Sequence, residues 1–246
     1  MNGHRKLTKM KTKLHILTTA TPRRDLHYVG LFPAVDALRE REEFEVVWYV
    51  NLDCPPLFSE DDFNKSLQAF EDMGATIFTN TKDPCFAQAA RVLYTNCQDN
   101  LDPENNNLFM WLEDDWTMHY LRLEGFAETA VAWAKSSHSC LLTVIPHRIG
   151  GQPCFFRQPL FDRVVGQYRA TTAMIDPEVT IMEEQRKMDG ISDTFYSPPL
   201  GGVGFEDQLF IDIGRNWRKY SKIGKTSRFD TKEHTWYHDE EGTTEW

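Results

Sequence analysis

The chain has 246 residues and a formal net charge of −10, and 41% of it is hydrophobic, with seven Trp and sixteen Phe. That length fits one sizeable α/β domain and is short for two, and so many bulky apolar side chains exclude a disordered chain. The acidic balance disfavours a protein that grips long nucleic acid, where many Lys and Arg neutralise phosphates, but it allows a polar or modestly anionic ligand in one local pocket.

The five cysteines (Cys54, Cys85, Cys97, Cys140, Cys154) are scattered, with no C-x-x-C pair, so they indicate neither a zinc site nor a disulfide framework. They read as reduced thiols, with Cys54 and Cys85 as buried small apolar residues and not nucleophiles. The basic start, MNGHRKLTKMKTKLHILTTATPRR, contains an apolar run too short for a signal-peptide core, and no segment reaches the length of a membrane span. The expectation is a cytoplasmic protein, bacterial or viral in a host cytoplasm.

In chain order, LHILTTA (14–20) predicts a first strand. DLHYVGLFPAVDALRERE (25–42) carries Leu26, Val29, Leu31, Val35 and Leu38 at helical spacing, with Pro33 marking a late start or a kink. FEVVWYVNLD (44–53) predicts the second strand. SEDDFNKSLQAFEDMG (59–74) predicts a helix with Ser59 as N-cap and Gly74 closing it. ATIFTN (75–80) is the third strand, PCFAQAARVLYTNC (84–97) a helix, and LFMWLEDD (108–115) the fourth strand. YLRLEGFAETAVAWAKSS (120–137) is a helix and CLLTVIP (140–146) the fifth strand. Strands alternating with helices predict an α/β fold with a mostly parallel sheet covered on both faces.

After Pro146 the rhythm breaks. GGQPCFFRQPLFDRVV (150–165) reads as a turn, a short strand and a short helix. DPEVTIMEEQRKMDG (176–190) has Asp176 as N-cap and Pro177 at the first helical position. TFYSPPLGGVGFEDQLFIDIGRNW (194–217) reads as a glycine-rich loop running into a helix, and KEHTWYHDEEGTTEW is a polar, aromatic tail. The segment from Gly166 to Ser197 is expected to be irregular, suited to acceptor recognition or to closing as a lid.

The fourth strand ends in Glu113, Asp114 and Asp115. Three adjacent carboxylates at the mouth of an apolar strand repel one another and are costly to desolvate. They suit a helix N-terminus and its dipole, or a hard divalent cation such as Mn²⁺ or Mg²⁺. Their place decides between these, because ligands of open α/β sheets bind beyond the carboxyl ends of the strands.

With its context, FMWLEDDWTMHYLRLEGF resembles the D-x-D region of GT-A-fold glycosyltransferases, in the E-D-D form of the N-acetylglucosaminyltransferase I type. LHILTTATPRRD followed by FEVVWYVNLD is similar to that family's first strand, base-binding loop and second strand, and GGVGFEDQLF (201–210) resembles its glycine-rich loop and x-E-D motif. The resemblance implies a GT-A-like domain over 1–246, with 14–120 the nucleotide-sugar half and 121–246 the acceptor and catalytic half. It implies that Asp115 holds the metal, that Glu113 and Asp114 contact the nucleotide-sugar, and that Asp53 meets the nucleobase. Thr19, Arg23, Arg24 and Arg91 fall where donor contacts are expected, and the planar fork of arginine suits a diphosphate. Trp116 is expected to wall the pocket. His234 or His238 would supply a second metal ligand, and Asp207 or Glu206 the general base.

The implied activity is metal-dependent transfer of a sugar from a UDP- or GDP-linked donor to a glycan or other hydroxyl acceptor, with inversion. Three rivals compete. A sugar nucleotidyltransferase would carry a long glycine-rich signature after the first strand, and TTATPRRD has no glycine. A metal-dependent phosphoesterase would need more metal ligands than the chain offers. A catalytically silent nucleotide- or sugar-binding module would keep the pocket and lack the base.

Overall fold

The computed structural model describes residues 12–55, 58–80, 85–102, 106–118, 153–171 and 175–188. It also describes 127, 130–131, 141–143 and short strands at 203–204, 210–212, 227–230, 235–238 and 242–245. β1 (Thr12–Ala20), β2 (Phe44–Leu52), β3 (Thr76–Phe78) and β4 (Asn107–Trp111) are mutually parallel, and the chain places them in the order β3-β2-β1-β4. Beyond β4 the sheet continues through β7 (Cys154–Arg157), β6 (Leu141–Thr143) and β8 (Val203–Gly204). β7 alone runs against its neighbours. The α/β, mostly parallel architecture expected from the sequence is present.

The alternation of each strand sorts its side chains between two cores. Leu14 and Ile16 of β1 and Leu108 and Met110 of β4 face one layer. After the short α1 (Arg24–Leu26), it is completed by the end of a π-helical turn (His27–Leu31), by α2 (Phe32–Arg39) and by α3 (Glu60–Asp72). Leu17 of β1 and Phe109 and Trp111 of β4 face the other layer. There α4 (Phe86–Asp99), α5 (Gln158–Ala170) and α6 (Pro177–Met188) pack, and Phe161 stacks on Phe109 with ring centroids 3.9 Å apart. Covering on both faces is why β1 and β4 read as continuous apolar runs.

Local signals hold where side chains close on their own backbone. Ser59 Oγ accepts from the Asp62 amide at 3.1 Å while Asp62 accepts from the Ser59 amide, a reciprocal capping box. Gly74 ends that helix at φ +69°, a conformation that favours glycine. The Val179 amide donates to Asp176, as expected of an N-cap. Pro33 lies in the first turn of α2, and the π-helical turn before it runs into α2 without a break, so the helix is widened ahead of the proline and not interrupted.

Two expectations change. Apart from these, the sheet places β7 between β4 and the fifth predicted strand, β6; the CFFR run, buried for its first three residues, suits that interior place. Where it is described, the segment from Gly166 is not irregular. Gly166 lies inside the thirteen-residue helix α5, and Tyr168 and, in α6, Ile181 are buried in the second core, so 166–171 and 175–188 are scaffold and not a lid, while 189–197 lie outside the described residues. Past the x-E-D motif, Phe210–Asp212 form a strand, β9, and not a helix; β9 pairs antiparallel with β5 (Trp116–Met118). The tail contributes a small antiparallel sheet of β10 (Ser227–Asp230), β11 (Thr235–His238) and β12 (Gly242–Glu245).

His15 shows what complete burial costs. It is sandwiched between Tyr49 and Phe109, with its Nε2 3.0 Å from Asn107 Oδ1, and burial lowers its pKa to about 4 despite that bond. The unfolded chain therefore takes up a proton near pH 6.5 that the folded chain refuses until about pH 4, so stability falls as pH drops through this window. Between pH 7 and pH 5 this amounts to about 2 kcal/mol. Urea unfolding at both pH values should show that loss in the wild type and a flatter response in His15→Gln.

Candidate functional site

The strand order places a topological switch between β1 and β4. From β1 the chain builds outward through β2 and β3, then returns to lay β4 on the other side of β1. The loops after β1 and β4 therefore diverge and leave a crevice at the carboxyl ends of the strands, the general ligand position of open α/β sheets. A cavity of about 380 Å³ occupies it. Thr19, Ala20, Thr21 and Arg23 line it from the end of β1, Asp53 and Pro55 from the end of β2, and Cys85, Phe86 and Ala89 from the start of α4. Glu113, Asp114 and Asp115 line it from the end of β4.

The three carboxylates are not equivalent. Asp114 is buried, 2% exposed, and Oδ2 accepts from the Thr21 amide at 3.0 Å and from Arg23 Nε at 3.2 Å. Arg23 Nη2 donates to Oδ1, which completes a fork-to-fork pair, and His27 Nε2 lies 3.1 Å from Oδ2. Burial alone would raise the Asp114 pKa, but the Arg23 charge, the bond from His27 and the Thr21 amide outweigh it and hold the carboxyl at about 2. Burial would likewise lower the Arg23 pKa, and Asp114 and Asp115 reverse that and raise it. The cation that meets the middle carboxylate belongs to the chain itself.

Glu113 and Asp115 are only partly buried, and the second terminal nitrogen of Arg23 lies 3.8 Å from Asp115 Oδ2. The triplet does not open a helix. Asp114 and Asp115 make a turn into the short strand β5, so the helix-dipole explanation for the charges does not apply. On the opposite wall Asp53 is 6% exposed and accepts from Asn51 Nδ2 at 2.8 Å and from the amides of Cys85 and Asn80. Burial outweighs these bonds and raises its pKa.

The fold thus brings together Thr19, Arg23, Asp53, Glu113, Asp114 and Asp115. It does not bring Arg91 or Trp116 to the cavity. Arg91 Nη2 donates to the Thr171 carbonyl at 2.9 Å and ties α4 to the end of α5. Trp116 is 3% exposed in the first core with Phe32 and Trp48, because β5 turns it inward against the π-helical turn. Arg24 is placed in α1 and His238 in β11 by backbone only. Glu206, Asp207 and His234 lie outside the described residues. Cys54 and Cys85 are half-buried and not buried, and Cys85 opens onto the cavity.

Sequence reasoning missed His27, the Thr21 amide and Phe86. His27 lies four residues before Leu31 on the same apolar helix face, a polar residue at a core position, and that was its signal. Phe86 is 39% exposed on the cavity wall, edge-on to Trp111 at 6.1 Å. Among the described residues no group of three His, Cys, Asp or Glu side chains converges as a cage for a cation. A magnesium-like ion does not need one, since it is commonly held by one or two carboxylates together with substrate phosphates. The hard oxygens of Asp115 and Glu113 on the cavity wall fit that manner of binding. No helix among the described residues is long and apolar enough to cross a membrane.

No family model matches the chain, and no curated protein matches it by sequence. Solved structures with a similar chain course include a 4-diphosphocytidyl-2C-methyl-D-erythritol synthase, at 13% identity and a TM-score of 0.48 over 88% of this chain and 99% of that one. The S. aureus TarS fragment 1–349 in complex with UDP has 11% identity and a TM-score of 0.45, over 81% of this chain and 60% of that one. The mannosyltransferase PcManGT from Pyrobaculum calidifontis, in complex with GDP-Man and Mn²⁺, has 10% identity and a TM-score of 0.49, over 87% and 60%. At these scores the likenesses carry no part of the functional argument.

The Asp114 pair makes a sharp expectation. Removing one partner of a buried ion pair leaves the other uncompensated and typically costs about 3–5 kcal/mol. Urea unfolding at pH 7 should show a loss of that order for Asp114→Ala. Because the folded pKa lies below the unfolded value, the contribution of Asp114 is full above about pH 4 and is lost only as pH falls towards about 2.

Proposed function

We propose that the chain is a metal-dependent glycosyltransferase of GT-A type, which moves a sugar from a UDP- or GDP-linked donor to an acceptor hydroxyl. One observation carries the reading: the cavity at the β1/β4 switch point gathers Asp53, Glu113, Asp114 and Asp115 around the single guanidinium of Arg23 among its described lining residues. A site so rich in carboxylate would repel a bare diphosphate. It is suited to a diphosphate that arrives with a divalent cation.

In this reading Asp115, with Glu113 beside it, holds Mn²⁺ or Mg²⁺, and the motif resemblance adds His234 or His238. When bound, the ion offsets the charge that grows on the leaving nucleoside diphosphate. Asp53, an acceptor on the opposite wall, orients the base, while Thr19 and Arg23 border the path between base and diphosphate. Asp207, or Glu206, takes the proton of the acceptor hydroxyl as its oxygen bonds the anomeric carbon and the bond from that carbon to the diphosphate breaks. One displacement with one base inverts the anomeric centre.

The test is a panel of thermal shifts with UDP-, GDP-, dTDP- and CMP-linked sugars, each with Mn²⁺, Mg²⁺ or EDTA. Ligand at a hundred times its Kd stabilises by about 2.7 kcal/mol. One nucleotide class should stabilise the wild type only with metal, and Asp115→Ala should lose that response. Asp207→Ala should keep binding and lose sugar transfer. Absence of any shift across the panel would sink the proposal.

A further inference from the structure

His27 has no role in the reaction as drawn, yet the fold goes to some expense to place it. It is fully buried, with ring centroids 5.8 Å from Phe32 and 4.8 Å from Phe70. In such a setting a leucine packs without the cost of desolvating an imidazole. A carboxylate can only accept, so Nε2 carries the proton and donates to Asp114, while Nδ1 finds no partner among the described residues. The π-helical turn begins at this residue, and such turns inside helices recur at functional sites.

We propose that His27 is a positioning residue that fixes Asp114, and through it the turn that presents Glu113 and Asp115 to the metal and diphosphate. The proposal rests on the donor-site reading above. Asp114 has two kinds of partner. Arg23 borders the cavity, already lies 3.8 Å from Asp115, and meets a further anion when a diphosphate binds. A carboxylate held by Arg23 alone would be drawn along with the guanidinium. The Thr21 amide and His27 also hold Asp114 Oδ2; of its three partners His27 alone does not line the cavity, so ligand does not compete for it. The middle carboxylate is then the fixed point of the acidic turn, not a contact to the donor.

The test compares wild type, His27→Gln and His27→Leu as full-length chains. Glutamine carries an N–H the same number of bonds from Cα as Nε2 and can donate to Asp114; leucine cannot. Mn²⁺ binding is read by electron paramagnetic resonance of the free ion, in the presence of UDP and, separately, of GDP. Loss of a residue that orients a metal ligand typically weakens metal binding by about 10–100-fold, and that is expected of His27→Leu, with glutamine restoring most of it. Hydrogen exchange of the Thr21 amide gives a readout that needs no metal: it should quicken in the leucine variant and stay slow in the glutamine variant. Wild-type affinity in His27→Leu, or equal weakening and equal amide exchange in both variants, overturns the proposal. Should the leucine variant fail to fold, His27→Met replaces it in both measurements. A wild type that binds Mn²⁺ with neither nucleotide overturns the donor-site reading, and the Thr21 exchange then decides separately whether His27 holds the turn.

Discussion

The site depends on one buried carboxylate. Backbone pairing aligns β1 with β4 from Lys13↔Asn107 to Leu17↔Trp111, and the Leu112 amide extends the ladder by one bond to Leu17. Beyond that point no further pairing joins β1 to β4 among the described residues, and side chains tie the two loops to each other. Asp114 does this, since its partners Thr21, Arg23 and His27 all come from the loop and helix after β1. Desolvating a carboxylate and a guanidinium costs several kcal/mol, so such a pair adds little net stability. What it supplies is geometry: the walls of the cavity cannot drift apart without exposing an unpaired buried charge.

The antiparallel strand serves the same end of the sheet. β7 pairs with β4 so that Cys154 lies opposite Trp111, which means the chain enters β7 at the edge where β4 leaves. β4 is thereby covered on both sides and both faces, all five of its residues buried, and its exit is held rigidly. A charged turn placed after such a strand has a fixed origin. The two cores are built from opposite faces of the same strands, so Leu108 and Met110 brace the exit from one layer and Phe109 and Trp111 from the other.

Much of this was legible in the sequence because it depends on local rules. The capping box at Ser59 and Asp62, the glycine at 74 and the alternation of strands with helices each follow from contacts within a few residues. The crevice at the end of β4 was legible too, since the apolar run and its acidic end can be read together. Arg91 and Trp116 were not. Both have side-chain chemistry that suits a ligand, and what excludes them is the tertiary partner each one finds, the Thr171 carbonyl 80 residues away for Arg91 and the π-helical turn for Trp116. The insertion of β7 between β4 and β6 was hidden for the same reason, because strand order is a property of packing and not of composition.

The division of labour within Glu113-Asp114-Asp115 lies between these cases. Burial alternates from Leu112 to Trp116, buried at the even positions and partly exposed at the odd ones. Asp114 and Asp115 form a turn, so this order is set by the partners each side chain finds and not by a strand's period. The sequence shows the three carboxylates but not the partner that makes a buried one tolerable. An Asp at position 114 is stable only because Arg23 and His27, about ninety residues earlier, arrive beside it. The acidic triplet is thus two features superposed: two partly exposed carboxylates on the cavity wall, and between them one carboxylate committed to an internal ion pair.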